Sequence, residues 1–545
     1  MTTTAVPEPA PRGRLRPVIC CGVLVSVLAL AGGGGTVRAA TTGRTPAVRP
    51  EVAVSGLDRR LQLAHNSPSL AADPTGPRFV AMAGRLDNPD FGCTLHLSGD
   101  GGRGWIPVKP VPRLPAKAEK CYAPEIAFDA DGLLYYSFIA LAGQGNSPTG
   151  TWLVTSHDRG RSFSEPRRLL GPERYMVRMA IDRTMGSEGR LHLVWLEARS
   201  SPLGGLGPPP NPIMSSYSDD GGRTFSDPVT ISDPSRRAVA PALALGPDHE
   251  VHVLYYDLED DARDYQGLEG PTWDGLWSLH LATSTDGGTS FRTAVKVDGA
   301  VVPPERVMLI YTMPPPALAV DSAGRVFAAW HDATNGDWDA FLRRSDDRGR
   351  TWAPRQRLND DPVANGRHQY LPRLSVAPTD RLDAVFLDRR DDAENVRNNT
   401  YLASSPPGGT AFSANVRLTA ESSNTTIGTR YDIPSALGLV DYGSRLGLLS
   451  LSNRAVAAWP DTRNSEVNEY GQDIFATEVD FGGPAGDDVA GTGGGNGSAL
   501  PAVLAIAGAV LIAAVVVAGR RRRPAVDDPP HPGDEAARPE DGGSL

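Results

Sequence analysis

Ser218-Asp219-Asp220-Gly221-Gly222-Arg223-Thr224-Phe225 is one copy of a phrase, Ser-x-Asp-x-Gly-x-x-Trp/Phe, that punctuates this chain. Further copies read Ser98, Asp100, Gly102, Trp105; Ser156, Asp158, Gly160, Phe163; Ser284, Asp286, Gly288, Phe291; and Ser345, Asp347, Gly349, Trp352. A worn copy keeps Ser405, Gly409 and Phe412 but has Pro407 in place of the Asp. A short carboxylate can take up the backbone amides of a tight turn, and Gly adopts the positive φ that other residues resist. The aromatic then plugs the hairpin into a core. Asp100, Asp158, Asp220, Asp286 and Asp347 therefore mark turns and are poor candidates for chemistry.

The copies recur about every sixty residues with alternating apolar runs between them, which implies a closed array of small sheets and not one extended sheet. Upstream of each copy lies a Pro, an apolar strand, a Gly or Asp turn and a second apolar strand. The pattern is clear in Pro124-Glu-Ile-Ala-Phe-Asp-Ala-Asp-Gly-Leu-Leu-Tyr-Tyr, from Pro241 and from Pro316. Looser versions start at Pro68, near Arg178, at Pro372 and at Pro434. These units number seven and the turns six. The last unit ends in Asp473-Ile-Phe-Ala-Thr-Glu-Val and runs out before an outermost strand, which Val52 to Val54, ahead of the first unit, can supply. The chain thus predicts an all-β propeller of four-stranded blades over residues 61–481, with an extension at 41–60 that closes the ring. Seven blades fit the units and six remain open.

The ends carry other signals. Arg12, Arg14 and Arg16 precede an apolar run from Val18 to Leu30, and Val37 and Ala39 have the spacing a signal peptidase reads, so residues 1–40 read as a secretory signal. Leu500 to Ala518 is apolar or small throughout and Arg520 to Arg523 follows at once, which reads as a membrane-spanning helix over 499–519 with its positive flank inside. A Gly-rich linker, 482–498, precedes it, and a disordered tail rich in Pro and acidic residues, 520–545, follows. The expected location is the cell membrane, crossed once, with the propeller outside and the C-terminus in the cytoplasm.

Two of the four cysteines, Cys20 and Cys21, fall in the signal. Cys93 would begin a third strand and Cys121 would precede the next blade, so both lie at one end of the ring; they either form a disulfide in an oxidising space or remain two buried thiols. A formal charge of −10 with no clustered basic face excludes nucleic acid as the partner. There is no zinc spacing, phosphate loop or nucleophile elbow, and no cofactor is called for. The acidic run Asp257, Glu259, Asp260, Asp261, Asp264 offers oxygen ligands for Ca²⁺ but lacks a binding-loop spacing, so a solvated turn fits it better.

Function belongs on the connections between second and third strands, which are long, irregular and charged. Several second strands end in an acid-x-Arg step: Glu197 with Arg199, Asp388 with Arg390, Asp461 with Arg463. These guanidinium groups can grip an acidic sugar or protein carboxylate, or can pin their own loops, and recurrence in successive blades favours pinning. Trp273 and Trp338 lie in the same loops, as sugar platforms or as packing.

Five intact turns at this spacing make the chain resemble the sialidase superfamily, the Asp-box or BNR-repeat proteins, over roughly residues 60 to 480. Its first blade is the closest match, through Pro68-Ser-Leu, Ala83-Gly84-Arg85, a run of acidic residues and Ser98 to Trp105. The resemblance implies a general acid at Asp87 or Asp90 and a nucleophilic Tyr with a partner Glu, for which Tyr370 and Tyr431, flanked by Arg367, Arg373 and Arg430, are the counterparts. It also implies three arginines on the substrate carboxylate, with Arg85 a further ligand candidate. The first of the three stands in an Arg-Ile-Pro motif in that family, and here the stretch is Asn66-Ser67-Pro68. Loss of one arm of such a clamp costs on the order of 2–5 kcal/mol. The expectation is therefore a surface-anchored propeller that binds a glycan or protein ligand without catalysis, with an exo-acting, sialidase-type glycoside hydrolase as the alternative.

Overall fold

The structure, a computed structural model, describes residues 46–55, 63–88, 90–108, 112–143, 146–185, 189–197, 206, 208–262, 273–303, 313–427, 443–465 and 471–482. The secretory signal, nearly all of the Gly-rich linker, the apolar 499–519 segment and the tail lie outside these residues. Among the described residues every regular element is a strand, and there is no helix long and apolar enough to cross a membrane.

The strands form seven antiparallel sheets arranged as the blades of a propeller. Blade 1 comprises His65–Ala72, Val80–Leu86, Gly92–Ser98 and Ile106–Pro107; blade 2, Lys120–Phe128, Leu134–Ala142, Ser147–Ser156 and Arg167–Leu170; blade 3, Arg174–Asp182, Arg190–Glu197, Ile213–Ser218 and Val229–Thr230. Blade 4 comprises Ala238–Leu245, Val251–Asp257, Trp277–Ser284 and Val295–Val301; blade 5, Ala317–Val320, Val326–Asp332, Asp339–Ser345 and Gln356–Arg357; blade 6, Gln369–Val376, Leu382–Asp388, Arg397–Ser405 and Val416–Arg417. Blade 7 has Gly447–Ser450, Arg454–Asp461 and Asp473–Asp480, and its outer edge comes from the start of the chain: Ala47 and Val48 pair with Asp480 and Val479, and Val52 and Ala53 with Ala476 and Phe475. Between these two short strands stands Pro50, which has no N–H to give a ladder and is tolerated on an edge. Arg463 reaches across to the Glu51 carboxylate and ties the two ends together.

The first strand of the seventh blade starts at Gly447, whereas the Pro434 unit would have begun it earlier; Pro434 itself lies outside the described residues. The register follows from Gly447-Leu448-Leu449-Ser450 folding straight back onto Ala455–Ala458 through a turn of three residues, 451–453.

Each intact turn closes in one way. The buried Ser218 hydroxyl donates to Asp220 at 2.7 Å and accepts the Gly222 N–H at 2.7 Å, while Asp220 takes the N–H groups of Arg223 and Thr224 at 2.8 Å each. Gly is demanded here twice over, as Gly102 shows: its φ is +97°, and a Cβ on it would meet Val456 of blade 7 at 2.9 Å. In the worn copy Ser405 donates instead to the Pro406 carbonyl at 3.1 Å.

Cores of Val, Leu, Ile and aromatic residues fill the spaces between blades, and the turn aromatics pack, half-buried, against them. Cys93 and Cys121 are bonded, linking blades 1 and 2.

The innermost strands share a second repeated feature. Ser67, Ala123, Met176, Ala240, Leu371 and Gly443 all have positive φ, between 47° and 84°. In blades 1, 2, 3, 4 and 6 this coincides with a slip in pairing register, a β-bulge that re-aims the residues after it. The residue two positions on is Ser69, Glu125, Arg178, Ala242, Arg373 and Arg445 in blades 1, 2, 3, 4, 6 and 7. These positions lie in or just before the innermost strands of their blades, in a ring around the central channel.

Candidate functional site

The ring is uneven. Blades 1 and 4 contribute small Ser69 and Ala242, while Glu125, Arg178, Arg373 and Arg445 bring charge. Arg178 Nη1 donates to Glu125 Oε1 at 2.8 Å and its Nε to the Pro241 carbonyl at 3.1 Å. Arg445 also donates to Glu125 Oε1, and to the Pro124 carbonyl at 2.6 Å. Both arginines therefore bridge blades as well as facing the channel. Burial alone would raise the Glu125 carboxyl, but the guanidinium groups of Arg445 and Arg178 outweigh it and hold the group below the usual carboxylate range.

Arg373 differs from its neighbours. It forms no hydrogen bond or ion pair with any described residue, yet it is electrostatically coupled to Arg445, Glu125 and Arg178. Burial, reinforced by Arg445, lowers its guanidinium to about 10, so it stays protonated at neutral pH. Among the described residues three guanidinium groups face one carboxylate, a surplus of two positive charges, with Arg178 and Arg373 half-buried. A surplus of buried positive charge is unfavourable until an anion meets it, and guanidinium forks match a carboxylate. Beside the cluster is a cavity of ≈ 20 Å³, room for one water, lined among others by Ser67, Tyr122, Tyr175, Arg178 and Arg445.

The residues singled out in the sequence take other positions. Asp87 is held on one oxygen by Arg85 at 2.6 Å and Asn66 at 2.8 Å, with its side chain 1% exposed. A carboxylate held in an ion pair with a guanidinium is a poor proton donor to a leaving group. Asp90 is out in solvent, 68% exposed and 2.7 Å from Lys120. Arg85 is itself buried, donating to the Tyr122 hydroxyl at 2.8 Å. Tyr370 is buried and accepts from Asn398 at 2.8 Å, which closes it to substrate. Tyr431, Arg430, Arg199 and Asp264 lie outside the described residues.

The two described acid-x-Arg steps, at Arg390 and Arg463, pin loops. Arg390 binds Asp388 at 2.8 Å, Asp360 and Asn415 while lying over the Tyr401 ring, and Arg463 binds Asp461 at 2.6 Å and Glu51 over the Phe475 ring. Arg367 is spent on the Ala393 carbonyl. Trp338 packs 5.3 Å from the His331 ring, and Trp273 covers Gly275. In the acidic run, Asp257, Glu259 and Asp260 converge on Arg236, and no metal-binding group is present among the described residues.

Of the sequence candidates among the described residues, only Arg373 stands in the ring. Glu125, Arg178 and Arg445 were missed as site residues. Aligning the units on the residue two after each positive-φ position exposes them, because charge there replaces the small residues of other blades.

The fold defines a seven-bladed all-β propeller. No family profile and no curated protein matches the sequence. Among solved structures the chain is similar to a polysaccharide lyase, an ulvan lyase bound to a GlcA(1-4)Rha3S fragment, at TM-score 0.44 and 11% identity over 78% of this chain and 95% of that one. It is similar to the endosialidase of phage phi92 at 0.43 and 10%, over 83% and 71%, and to a Hadza microbial sialidase at 0.40 and 13%, over 74% of each. These neighbours are glycoside hydrolases and lyases, and the likeness is one of fold.

Proposed function

We propose that this chain is a sialidase-like, surface-anchored propeller that binds an acid-bearing glycan, or a carboxylate of a protein ligand, in its central channel. The observation that carries the reading is the convergence of Arg178, Arg373 and Arg445, with Arg373 making no hydrogen bond or ion pair among the described residues. Small Ser69 and Ala242 occupy the equivalent ring positions of blades 1 and 4. Asp87, one general-acid candidate, is withdrawn into an ion pair, and Tyr370, one nucleophile candidate, into a buried hydrogen bond, which supports binding without hydrolysis. Export is supported by the Cys93–Cys121 bond, since such bridges persist in oxidising compartments. Anchoring rests on the apolar 499–519 segment and its arginine flank.

The second reading, an exo-acting hydrolase of sialidase type, is favoured by that same trio of arginines, which is the number the resemblance calls for. Titrating the full chain with sialyllactose, and with its methyl ester, while monitoring free sialic acid separates the two. Binding of the acid but not the ester with no sugar released supports the binder; release supports the hydrolase; binding of neither overturns both. Recovery of the full chain in membranes after alkaline carbonate washing tests the anchor.

A further inference from the structure

Blade 3 ends in an outer strand of two residues, Val229–Thr230, whereas the outer strand of blade 4, Val295–Val301, has seven. The mismatch uncovers the flank of blade 4 and opens a groove of ≈ 500 Å³ between the blades, remote in the fold from the inner-strand ring. Tyr255 and His280, directly opposite one another on adjacent strands, line it as an offset, near-parallel pair with ring centres 5.8 Å apart. Tyr255 is 3% exposed, and its hydroxyl bonds to no described residue. Buried tyrosine hydroxyls ordinarily find a partner, so this one is a donor offered to whatever enters the groove.

The histidine is set by its neighbours. Ser278 has one hydroxyl proton, which goes to Glu259, so the 2.8 Å contact between Ser278 Oγ and His280 Nε2 requires the imidazole to donate. Nδ1 is then an acceptor, and burial keeps the ring neutral by lowering its pKa.

The charges that line the groove balance, with the exposed Asp260 outside the lining, 3.5 Å from Arg236. Asp233, Asp257 and Glu259 are matched by Arg236, Arg292 and Lys296, and Arg236 binds Asp257 at 3.4 Å and also Glu259, while Lys296 lies 3.1 Å from Glu259. A groove with aromatic walls, alternating donors and acceptors and a balanced lining charge is matched to a polyhydroxylated, uncharged ligand. We propose that it is a second binding site, for a neutral sugar residue, separate from the charged ring in the channel.

Saturation-transfer NMR on the full chain with methyl α-glucoside, methyl β-galactoside, methyl α-mannoside and methyl α-arabinofuranoside tests this. At least one glycoside should receive saturation, with its affinity reduced about fivefold by Tyr255→Phe and again by His280→Ala, the effect of losing one neutral hydrogen bond each. Arg373→Gln should leave the binding unchanged. Absence of transfer to all four sugars, binding undiminished in Tyr255→Phe, or binding abolished by Arg373→Gln would each overturn the proposal. Tyr255→Phe keeps the ring and its packing, so it decides the matter even where His280→Ala fails to fold.

Discussion

Arg373 and Arg445 stand on neighbouring blades at equivalent ring positions and have different physical work. Arg445 neutralises Glu125 and holds two carbonyls of other blades, so Arg445→Gln leaves a buried carboxylate short of a partner and should cost about 3 kcal/mol of stability. Arg373 holds nothing among the described residues, so Arg373→Gln should leave the thermal midpoint within about 1 °C or raise it, as removal of an uncompensated buried charge relieves repulsion from Arg445. Calorimetry of the two variants checks the contrast. At this scale the sequence was least informative. Arg373 could be picked out beside Tyr370, but Glu125, Arg178 and Arg445 acquire their meaning only from the positive-φ residues before them, and nothing in Ala123-Pro124 or Met176-Val177 announces that conformation.

The turns were legible because their bonds are local. Ser, Asp and Gly of each copy satisfy one another within five residues, so a reader needs no tertiary information to place them. Ser345→Ala removes both the donor to Asp347 at 2.7 Å and the acceptor of the Gly349 N–H at 2.8 Å, and should cost about 1–2 kcal/mol. Ser405→Ala, in the turn that lacks the Asp, should cost less, and comparing the two by urea denaturation measures what the Asp contributes. The Cys93–Cys121 bond closes a separation of 28 residues and should contribute about 3–4 kcal/mol, lost on reduction or in Cys93→Ser. The loops between second and third strands were misleading as a site because their arginines find partners outside the loop: Arg390 at Asp360 and Asn415, Arg463 at Glu51. Partners from distant sequence cannot be read from an acid-x-Arg step alone.

For the whole molecule, closure and histidine burial set the conditions under which the ring survives. The Pro spacing and the missing outer strand made the seven units and the role of Val52 to Val54 readable in advance, since a ring with an unpaired edge leaves backbone groups unsatisfied. Burial lowers the imidazoles of His96, His192, His252 and His331 to about 4 and that of His65 to about 3. Folded, they remain neutral while the unfolded chain takes up protons below about pH 6.5. Stability is therefore complete above pH 6.5, declines as pH falls toward 4, and loses on the order of 10 kcal/mol or more across that window. Thermal melts from pH 7.5 to 4.5 should show a falling midpoint below 6.5, and a flat profile would show that these rings are not held neutral.

The measurement that bears most directly on the channel as a carboxylate site is calorimetric titration of sialyllactose into the full chain and into Arg373→Gln. Loss of a charge-assisted arm worth about 2–5 kcal/mol predicts at least a 30-fold weaker affinity in the variant, with folding intact. Equal affinity in the two proteins would contradict the account and move the ligand site away from the ring.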